Sequence, residues 1–171
     1  MNTTANKITL FRIALVPVFL ALLYLKHPYI AFSVYLIACL SDTVDGYVAR
    51  HYGQITDFGK FVDPLADKIL VVAAMCVFTE RGQMPGWALA VVLFREFAVT
   101  GLRLIAADRQ RVIAAAVSGK IKTVITMVCV GAMMLLGEKP LVNSLSTGVI
   151  LIVTVYSGTE YFVKNIDVFK S

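Results

Sequence analysis

The chain has 171 residues, of which 58% are hydrophobic and 16% are charged, against about 45–50% and about 25% in soluble globular domains. This balance, with a mean hydropathy of +0.78, argues against a soluble enzyme and excludes a disordered chain. The chain has three cysteines, and this odd number excludes a disulfide framework. The net charge of +5 would suit nucleic acid, but the basic residues flank apolar segments, which indicates a membrane surface or an anionic substrate instead.

Six apolar segments recur along the chain, with turn signals rather than linkers between them. A helix crosses about 30 Å of hydrocarbon with about 20 residues, and each segment is near that length. The sequence therefore predicts one all-helical membrane domain, residues 1–171, with six transmembrane helices. Their predicted positions are 8–25, 29–50, 62–80, 84–107, 118–137 and 145–163.

Lysine and arginine residues are distributed unevenly between the two sides of this arrangement. Of the 16, all but Lys26, Arg81 and Lys139 fall on the side that holds the termini. Because positive charge accumulates on the cytoplasmic side of membrane proteins, we predict a multi-pass protein of the cell membrane with both termini in the cytoplasm.

Charged residues interrupt four successive helices: late in the second, early in the third, late in the fourth and early in the fifth. Because successive crossings alternate in direction, we expect all four charged ends to meet on one side of the membrane. Charged groups are too costly to face lipid, so they should line a polar cavity open to the cytoplasm. The residues are Asp42, Asp45, Arg50, Asp63, Asp67, Lys68, Arg95, Glu96, Arg103, Lys120 and Lys122.

The aspartates of the second and third helices are spaced in pairs. Asp42 and Asp45 are three residues apart, a spacing that puts both on one helix face. Asp63 and Asp67 are four apart and share a face in the same way. A turn containing glycines 53 and 59 is predicted to join the pairs. Pro64 suits the first helical position, which makes Asp63 a candidate N-cap.

Four carboxylates that converge in a low-dielectric site would repel one another strongly unless something neutralises them. Mg²⁺ and Mn²⁺ take oxygen ligands and are usually held by carboxylates together with substrate phosphates. We therefore predict two divalent ions between the aspartate pairs, able to clamp a diphosphate and stabilise a departing phosphate. The alternative is a structural role, in which the aspartates form salt bridges with Arg50, Lys60 and Lys68.

Small residues lie on or beside the face of the first aspartate pair. Gly46 and Ala49 would let a flat ring or a diphosphate approach the backbone closely, although small residues equally suit helix–helix packing. Arg50 follows Asp45 by about one turn and could bind a phosphate through two hydrogen bonds. Its alternative is an arginine that extends to the membrane surface.

Eight positions over 26 residues carry a longer pattern with fixed gaps. They are Asp42, Asp45, Gly46, Ala49, Arg50, Gly59, Asp63 and Asp67. This pattern resembles the motif of the CDP-alcohol phosphatidyltransferase family at every defining position and gap, and the six-helix hydropathy extends the resemblance over nearly the whole chain. The resemblance implies transfer of a phosphatidyl group from CDP-diacylglycerol to an alcohol, with release of CMP.

The resemblance also implies a division of roles. The four aspartates would ligate two divalent metals, and Asp67 would act as general base toward the acceptor hydroxyl. The residues implied in binding CDP-diacylglycerol are Asn6, Asp42, Gly46, Ala49, Arg50, Thr56 and Gly59. A homodimer in the lipid bilayer is a further implication.

Three segments outside this motif, 6–12, 95–103 and 119–123, resemble those of family members whose acceptor is sn-glycerol-3-phosphate. The implied products are phosphatidylglycerophosphate and CMP. Because this acceptor is an anion, it needs a cationic pocket. The candidates are Arg103, Lys120, Lys122, Arg109 and Arg111, each of which is alternatively a positive-inside residue or a contact to anionic lipid.

Other features and functions stay open. Arg95 and Glu96 fit an ion pair that braces the cavity or a substrate contact. Tyr156, Tyr161 and Phe162 predict a lipid-facing or a dimer surface without distinguishing the two.

The rival functions are a transporter, an integral-membrane prenyltransferase, and a related phosphatidyltransferase that uses serine, inositol phosphate or phosphatidylglycerol. Transporters usually place carboxylates near the midplane of the membrane, whereas these lie at one end.

Overall fold

A computed structural model of the protein is all-helical, as the hydropathy pattern predicts. The structure describes residues 4–51, 57–108, 113 and 116–169, and the side chains at 9–41, 66, 68–107, 113 and 116–168. Within these residues it contains six α-helices and a short 3-10 helix, Ile166–Phe169. The α-helices are α1 (Thr4–Tyr24), α2 (Pro28–His51), α3 (Asp57–Glu80), α4 (Gly86–Asp108), α5 (Val117–Leu136) and α6 (Pro140–Lys164).

Each predicted segment is helical, and the largest differences lie at two helix starts. α3 begins at Asp57 rather than near 62, and α6 begins at Pro140 rather than near 145. The prediction of Asp63 as an N-cap is therefore wrong, because Asp63 and Pro64 lie inside α3. A proline inside a helix removes one amide donor, a loss that membrane helices tolerate, and α1 contains Pro17 in the same way.

Helices α1, α2 and α3 form one compact unit, Met1–Glu80. α1 contacts both other helices, and α2 contacts α3. Phe19 of α1 packs against Tyr35 of α2, with ring centroids 6.0 Å apart. The Tyr24 hydroxyl donates a hydrogen bond to Glu80 Oε2 at 2.5 Å, so the end of α1 is tied to the end of α3.

Helices α4, α5 and α6 and the 3-10 helix form a second compact unit, Arg81–Ser171. α6 contacts both α4 and α5, and the 3-10 helix packs against α4 and α6. An apolar cluster joins α4, α6 and the 3-10 helix. Its buried members are Val99, Leu102, Ala106, Tyr161 and Val168.

The turn between α5 and α6 is built around Gly137. Its carbonyl oxygen accepts hydrogen bonds from Gln83 Nε2 at 2.9 Å and from Asn143 Nδ2 at 2.8 Å. A Cβ atom at this position would lie 2.2 Å from the Met133 carbonyl oxygen and 2.6 Å from Gln83 Nε2. A larger residue would therefore force the turn to shift.

Polarity along α6 is the reverse of that in a soluble amphipathic helix. Its buried polar residues are Asn143, Ser146, Thr147, Thr154 and Ser157. Its exposed hydrophobic residues include Leu141, Leu145, Ile152, Tyr156 and Val163. Apolar side chains face outward and polar ones inward where lipid is the surrounding solvent, so this helix is suited to a bilayer.

Two helices in the described part of the chain, α5 and α6, are long and apolar enough to cross a membrane by length and composition. α1 and α2 contain shorter apolar stretches, Thr9–Tyr24 and Pro28–Ser41. Six crossings, a cavity open to the cytoplasm and a single domain over 1–171 stay predictions.

Candidate functional site

The predicted metal-binding aspartates lie on two helices of the first compact unit. α2 carries Asp42 and Asp45, inside continuous helix. α3 carries Asp63 and Asp67, also inside continuous helix. Positions three or four apart share a helix face, and α2 contacts α3. The four side chains lie outside those that the structure describes, so their convergence stays a prediction.

The chemistry of this donor set fits divalent cations. Carboxylate oxygens are hard ligands of the kind that Mg²⁺ and Mn²⁺ prefer, and two pairs at helical spacing supply four negative charges. Among the described side chains, no group of three or more His, Cys, Asp or Glu residues could hold a metal. The aspartates of α2 and α3 therefore remain the candidates for the metal site.

The residues predicted to bind the nucleotide are divided between α1, α2 and α3. Asn6 lies in the first turn of α1. Gly59 lies in the first turn of α3, not in a turn between helices as the sequence predicts, because α3 begins at Asp57. Thr56 falls outside the described residues. The members in the last part of α2 are Gly46, Ala49 and Arg50.

The predicted acceptor residues belong to the second compact unit. Arg103 lies on α4 and is exposed. On α5, Lys120 is exposed, whereas Lys122 is buried. Arg109 and Arg111 fall outside the described residues.

Lys122 is part of a buried polar network. Its ammonium donates to Glu96 Oε1, and Arg95 Nη1 donates to the same oxygen at 3.0 Å. Arg95 Nη2 donates to Ser157 Oγ at 2.9 Å. Arg95 and Glu96 thus form the ion pair that the sequence left as one of two interpretations. The network joins α4, α5 and α6 through side chains alone.

In the described contacts of this network, two cations, Arg95 and Lys122, donate to the single carboxylate of Glu96. Two unit charges about 5 Å apart repel by about 3 kcal/mol at an effective dielectric of about 20. Glu96 offsets that repulsion because one of its oxygens accepts from both cations. Desolvation cancels much of the attraction in a buried ion pair, so stability alone is a weak reason for the cluster. Two cations held close together are suited to binding an anion.

Two glycines leave room for the Arg95 side chain. A Cβ at Gly158 of α6 would lie 3.0 Å from Arg95 Cγ, which is tighter than an ordinary contact. A Cβ at Gly119 of α5 would lie 3.7 Å from Arg95 Nη2. The stem of Arg95 therefore packs on α6, and its guanidinium lies beside the first turn of α5.

Arg103 is held by a buried tyrosine of α6. Its Nε donates to Tyr161 Oη at 2.9 Å, and its guanidinium carbon lies 5.4 Å from the centre of the same ring. Tyr161 is 2% exposed and belongs to the apolar cluster of this unit. A ring fixed by packing thus orients an exposed cation, whose planar fork has further donors for an anion.

The prediction of a lipid-facing or dimer surface is wrong for Tyr161, whose ring is buried because it packs in the apolar cluster of this unit. Phe162 is half-buried against the same cluster, and Tyr156 is exposed. The sequence also did not predict the contact of Ser157 with the network. A usable signal is the spacing of Ser157 and Tyr161, which are four residues apart and share a face of an otherwise apolar helix.

Comparison with known proteins gives the same family as the aspartate pattern. A family model described as CDP-alcohol phosphatidyltransferase matches residues 2–158. The chain is 40% identical to the CDP-diacylglycerol–glycerol-3-phosphate 3-phosphatidyltransferase of Bacillus subtilis, over 100% of this chain and 99% of that protein. It is 38% identical to a probable phosphatidylglycerophosphate synthase of Mycobacterium tuberculosis, over 92% of this chain and 78% of that protein. The Escherichia coli protein with the same name as that of Bacillus subtilis is 38% identical, over 71% of this chain and 70% of that protein. The chain belongs to the CDP-alcohol phosphatidyltransferase family.

Proposed function

We propose that this protein transfers the phosphatidyl group of CDP-diacylglycerol to sn-glycerol-3-phosphate, which gives phosphatidylglycerophosphate and CMP. The observation that carries the proposal is the similarity, over the whole of both chains, to the Bacillus subtilis protein named for these two substrates. The Escherichia coli relative is named for the same two substrates, and the Mycobacterium tuberculosis relative is named for the product phosphatidylglycerophosphate.

On the donor side, the four aspartates of α2 and α3 would hold two divalent ions, Mg²⁺ or Mn²⁺. Such ions offset the charge of a diphosphate and stabilise the departing phosphate when they are bound. Small residues on α2 support a close approach of the nucleotide, and Arg50 supplies a guanidinium, a group that can bind phosphate through two parallel hydrogen bonds. The residues proposed to bind CDP-diacylglycerol are Asn6, Asp42, Gly46, Ala49, Arg50, Thr56 and Gly59.

The chemical step is a direct displacement at phosphorus. The primary hydroxyl of glycerol-3-phosphate forms a bond to the phosphorus that carries the diacylglycerol, and the bond from that phosphorus to CMP breaks. The hydroxyl proton passes to Asp67. Because a primary hydroxyl is a weak nucleophile at neutral pH, a carboxylate base accelerates its attack. Positioning and electrostatics suffice for the rest, without a covalent enzyme intermediate.

The acceptor is a phosphate monoester and needs cationic ligands. Lys122 supports this role because it belongs to a buried network in which two cations pair with Glu96. Arg103 supports it because Tyr161 fixes its guanidinium, and arginine binds phosphate through parallel hydrogen bonds. The proposed ligands are Arg103, Lys120, Lys122, Arg109 and Arg111.

The protein is a membrane protein, and we propose that all six helices cross the cell membrane with both termini in the cytoplasm. The length and apolarity of α5 and α6 support membrane insertion, as does the reversed polarity of α6. The uneven distribution of lysine and arginine supports the orientation. A homodimer is proposed from the family resemblance.

Acceptor competition tests the function. Purified protein in nanodiscs is supplied with CDP-diacylglycerol, Mg²⁺ and radiolabelled glycerol-3-phosphate, serine or inositol phosphate, and the labelled lipid and released CMP are measured. We expect labelled lipid with glycerol-3-phosphate alone. Product with serine but not with glycerol-3-phosphate would overturn the acceptor and leave the reaction class intact. Absence of CMP release with every acceptor would overturn the activity.

A further inference from the structure

Glu96 is a buried carboxylate to which no substrate or metal has been assigned. Its side chain is 11% exposed, and its Oε1 accepts from a cation of its own helix and from a cation of α5. Glu160 on α6 gives a contrast within the same unit, since it pairs with Lys164 in an i,i+4 pair whose lysine is 65% exposed. Exposed pairs contribute little to stability, whereas a buried carboxylate is retained only with strong compensation.

We propose that Glu96 is a positioning residue for the acceptor: it holds the cationic ends of Lys122 and Arg95 together so that both bind the phosphate of glycerol-3-phosphate. This inference rests on the proposed function, because it takes glycerol-3-phosphate as the acceptor. Glu96 acts through the two cations and does not itself touch the anion.

The anchored end of the network is Arg95. Its Nη2 donates to Ser157 Oγ at 2.9 Å, and its stem lies against Gly158 so closely that a Cβ there would come within 3.0 Å of Cγ. α6 therefore holds the guanidinium through Ser157, and the stem of Arg95 lies beside Gly158. Arg95 Nη1 also donates to Glu96. The position of the Glu96 carboxylate is therefore set by the anchored guanidinium.

The adjustable end of the network is Lys122. A lysine has a flexible four-carbon stem and a strongly hydrated ammonium, and such side chains extend toward water when nothing holds them. Glu96 accepts the Lys122 ammonium on the same oxygen that Arg95 uses. The two cations, from α4 and α5, are therefore kept close together despite their mutual repulsion.

The two cations of the network suit a phosphate monoester. Among the described contacts, two cations share one carboxylate at side chains that are about nine-tenths buried. A phosphate monoester brings between one and two negative charges at neutral pH, to judge from the second pKa of about 6 of phosphorylated side chains. The phosphate of the acceptor would bring negative charge beside two cations that share one carboxylate, and this attraction favours binding in a medium of low dielectric.

The exchange Glu96→Gln tests the proposal, because it keeps the shape of the side chain and removes its charge. We expect the KM for glycerol-3-phosphate to rise by about tenfold or more, as for loss of a buried charged hydrogen bond, with the KM for CDP-diacylglycerol unchanged. The matched control is Glu160→Gln, which makes the same chemical change in the exposed pair of α6 and should leave both KM values unchanged. Equal rises in both KM values, or a lower unfolding temperature with an unchanged acceptor KM, would show a structural brace and overturn the proposal.

A double-mutant cycle with Lys122→Met tests whether Glu96 acts through Lys122. We expect Lys122→Met to raise the KM for glycerol-3-phosphate, and Glu96→Gln to add less in that background than in the wild type. Fully additive effects would overturn the proposal. If Glu96→Gln does not fold, Glu96→Asp makes the test, since it keeps the charge but draws the carboxylate back by one methylene. An unchanged acceptor KM in that variant would also overturn it. Failure of the wild-type protein to use glycerol-3-phosphate at all is a separate result, which refutes the proposed function.

Discussion

Removal of the Tyr161 hydroxyl tests whether a buried ring orients Arg103 for the acceptor. In Tyr161→Phe the ring keeps its place in the apolar cluster and its position 5.4 Å from the guanidinium carbon. The variant loses only the 2.9 Å hydrogen bond from Arg103 Nε. The perturbation is therefore confined to the orientation of one guanidinium.

The size of the effect follows from the exposure of the two partners. A hydrogen bond to a charged group contributes about 1.5–3 kcal/mol, and an ordinary one about 1 kcal/mol. Because Arg103 is exposed, a water molecule can accept the hydrogen bond that the Tyr161 hydroxyl no longer accepts. The expected loss is therefore about 1 kcal/mol. Since 1.4 kcal/mol corresponds to tenfold in an equilibrium constant, about 1 kcal/mol raises the KM for glycerol-3-phosphate by about fivefold.

CMP release in nanodiscs measures both KM values, with one substrate varied while the other is saturating. The matched control is Tyr156→Phe, on the same helix but 67% exposed, which should leave both values unchanged. Thermal unfolding in detergent monitors the fold. An unchanged KM for glycerol-3-phosphate in Tyr161→Phe would refute the role of this contact in acceptor binding. Parallel changes in both KM values would assign Tyr161 to the fold alone.

Three further predictions concern the base, the metal and the turn at Gly137. Asp67→Asn should abolish CMP release while CDP-diacylglycerol still binds in a filter-binding assay, because an amide cannot take up the hydroxyl proton; retained turnover would exclude the base. Chelation with EDTA should stop CMP release and added Mg²⁺ or Mn²⁺ should restore it, because uncompensated aspartates repel a diphosphate; full activity after chelation would contradict the metal site. Gly137→Ala should destabilise the fold by about 1–3 kcal/mol, as overpacking does, because its Cβ would meet the Met133 carbonyl oxygen at 2.2 Å. Its control in thermal unfolding is Gly148→Ala, where a Cβ meets nothing within 4 Å; equal unfolding temperatures would contradict the steric argument.

Hydropathy located the helices because about 20 apolar residues between charged or proline-containing turns leave little choice of structure. It failed at the start of α3, where Gly59 and Pro64 both favour a turn. The helix nevertheless runs from Asp57 through both residues. Local propensity is a weak predictor when the surrounding structure stabilises the helix, so this boundary could not be found from single residues.

The two kinds of site residue differ in how far the sequence predicts them. The aspartates of α2 and α3 form a pattern of fixed gaps within 26 residues, which helical periodicity interprets directly. The partners of the cationic residues are remote in sequence: Ser157 lies 62 residues from Arg95, and Tyr161 lies 58 residues from Arg103. Which face of α6 meets α4 depends on three-dimensional packing, and no local pattern in either helix specifies it.

The polar interior of the second unit is explained by the hydrocarbon that surrounds a membrane protein. The Thr123 hydroxyl of α5 donates a hydrogen bond to the Gly119 carbonyl oxygen. Three other threonine hydroxyls in this unit are buried and have no hydrogen-bond partner among the described atoms. They belong to Thr126, Thr147 and Thr154. In water such burial would cost about 1–3 kcal/mol for each group, because the unfolded chain would hydrate them. In a bilayer the alternative surroundings are hydrocarbon, which offers the same hydroxyls no hydrogen-bond partner either. Burying them inside the unit therefore costs little relative to exposing them to lipid. The bilayer therefore favours polar residues inside the unit and apolar residues outside, and the same preference retains the charged group of Arg95, Glu96 and Lys122 in its interior.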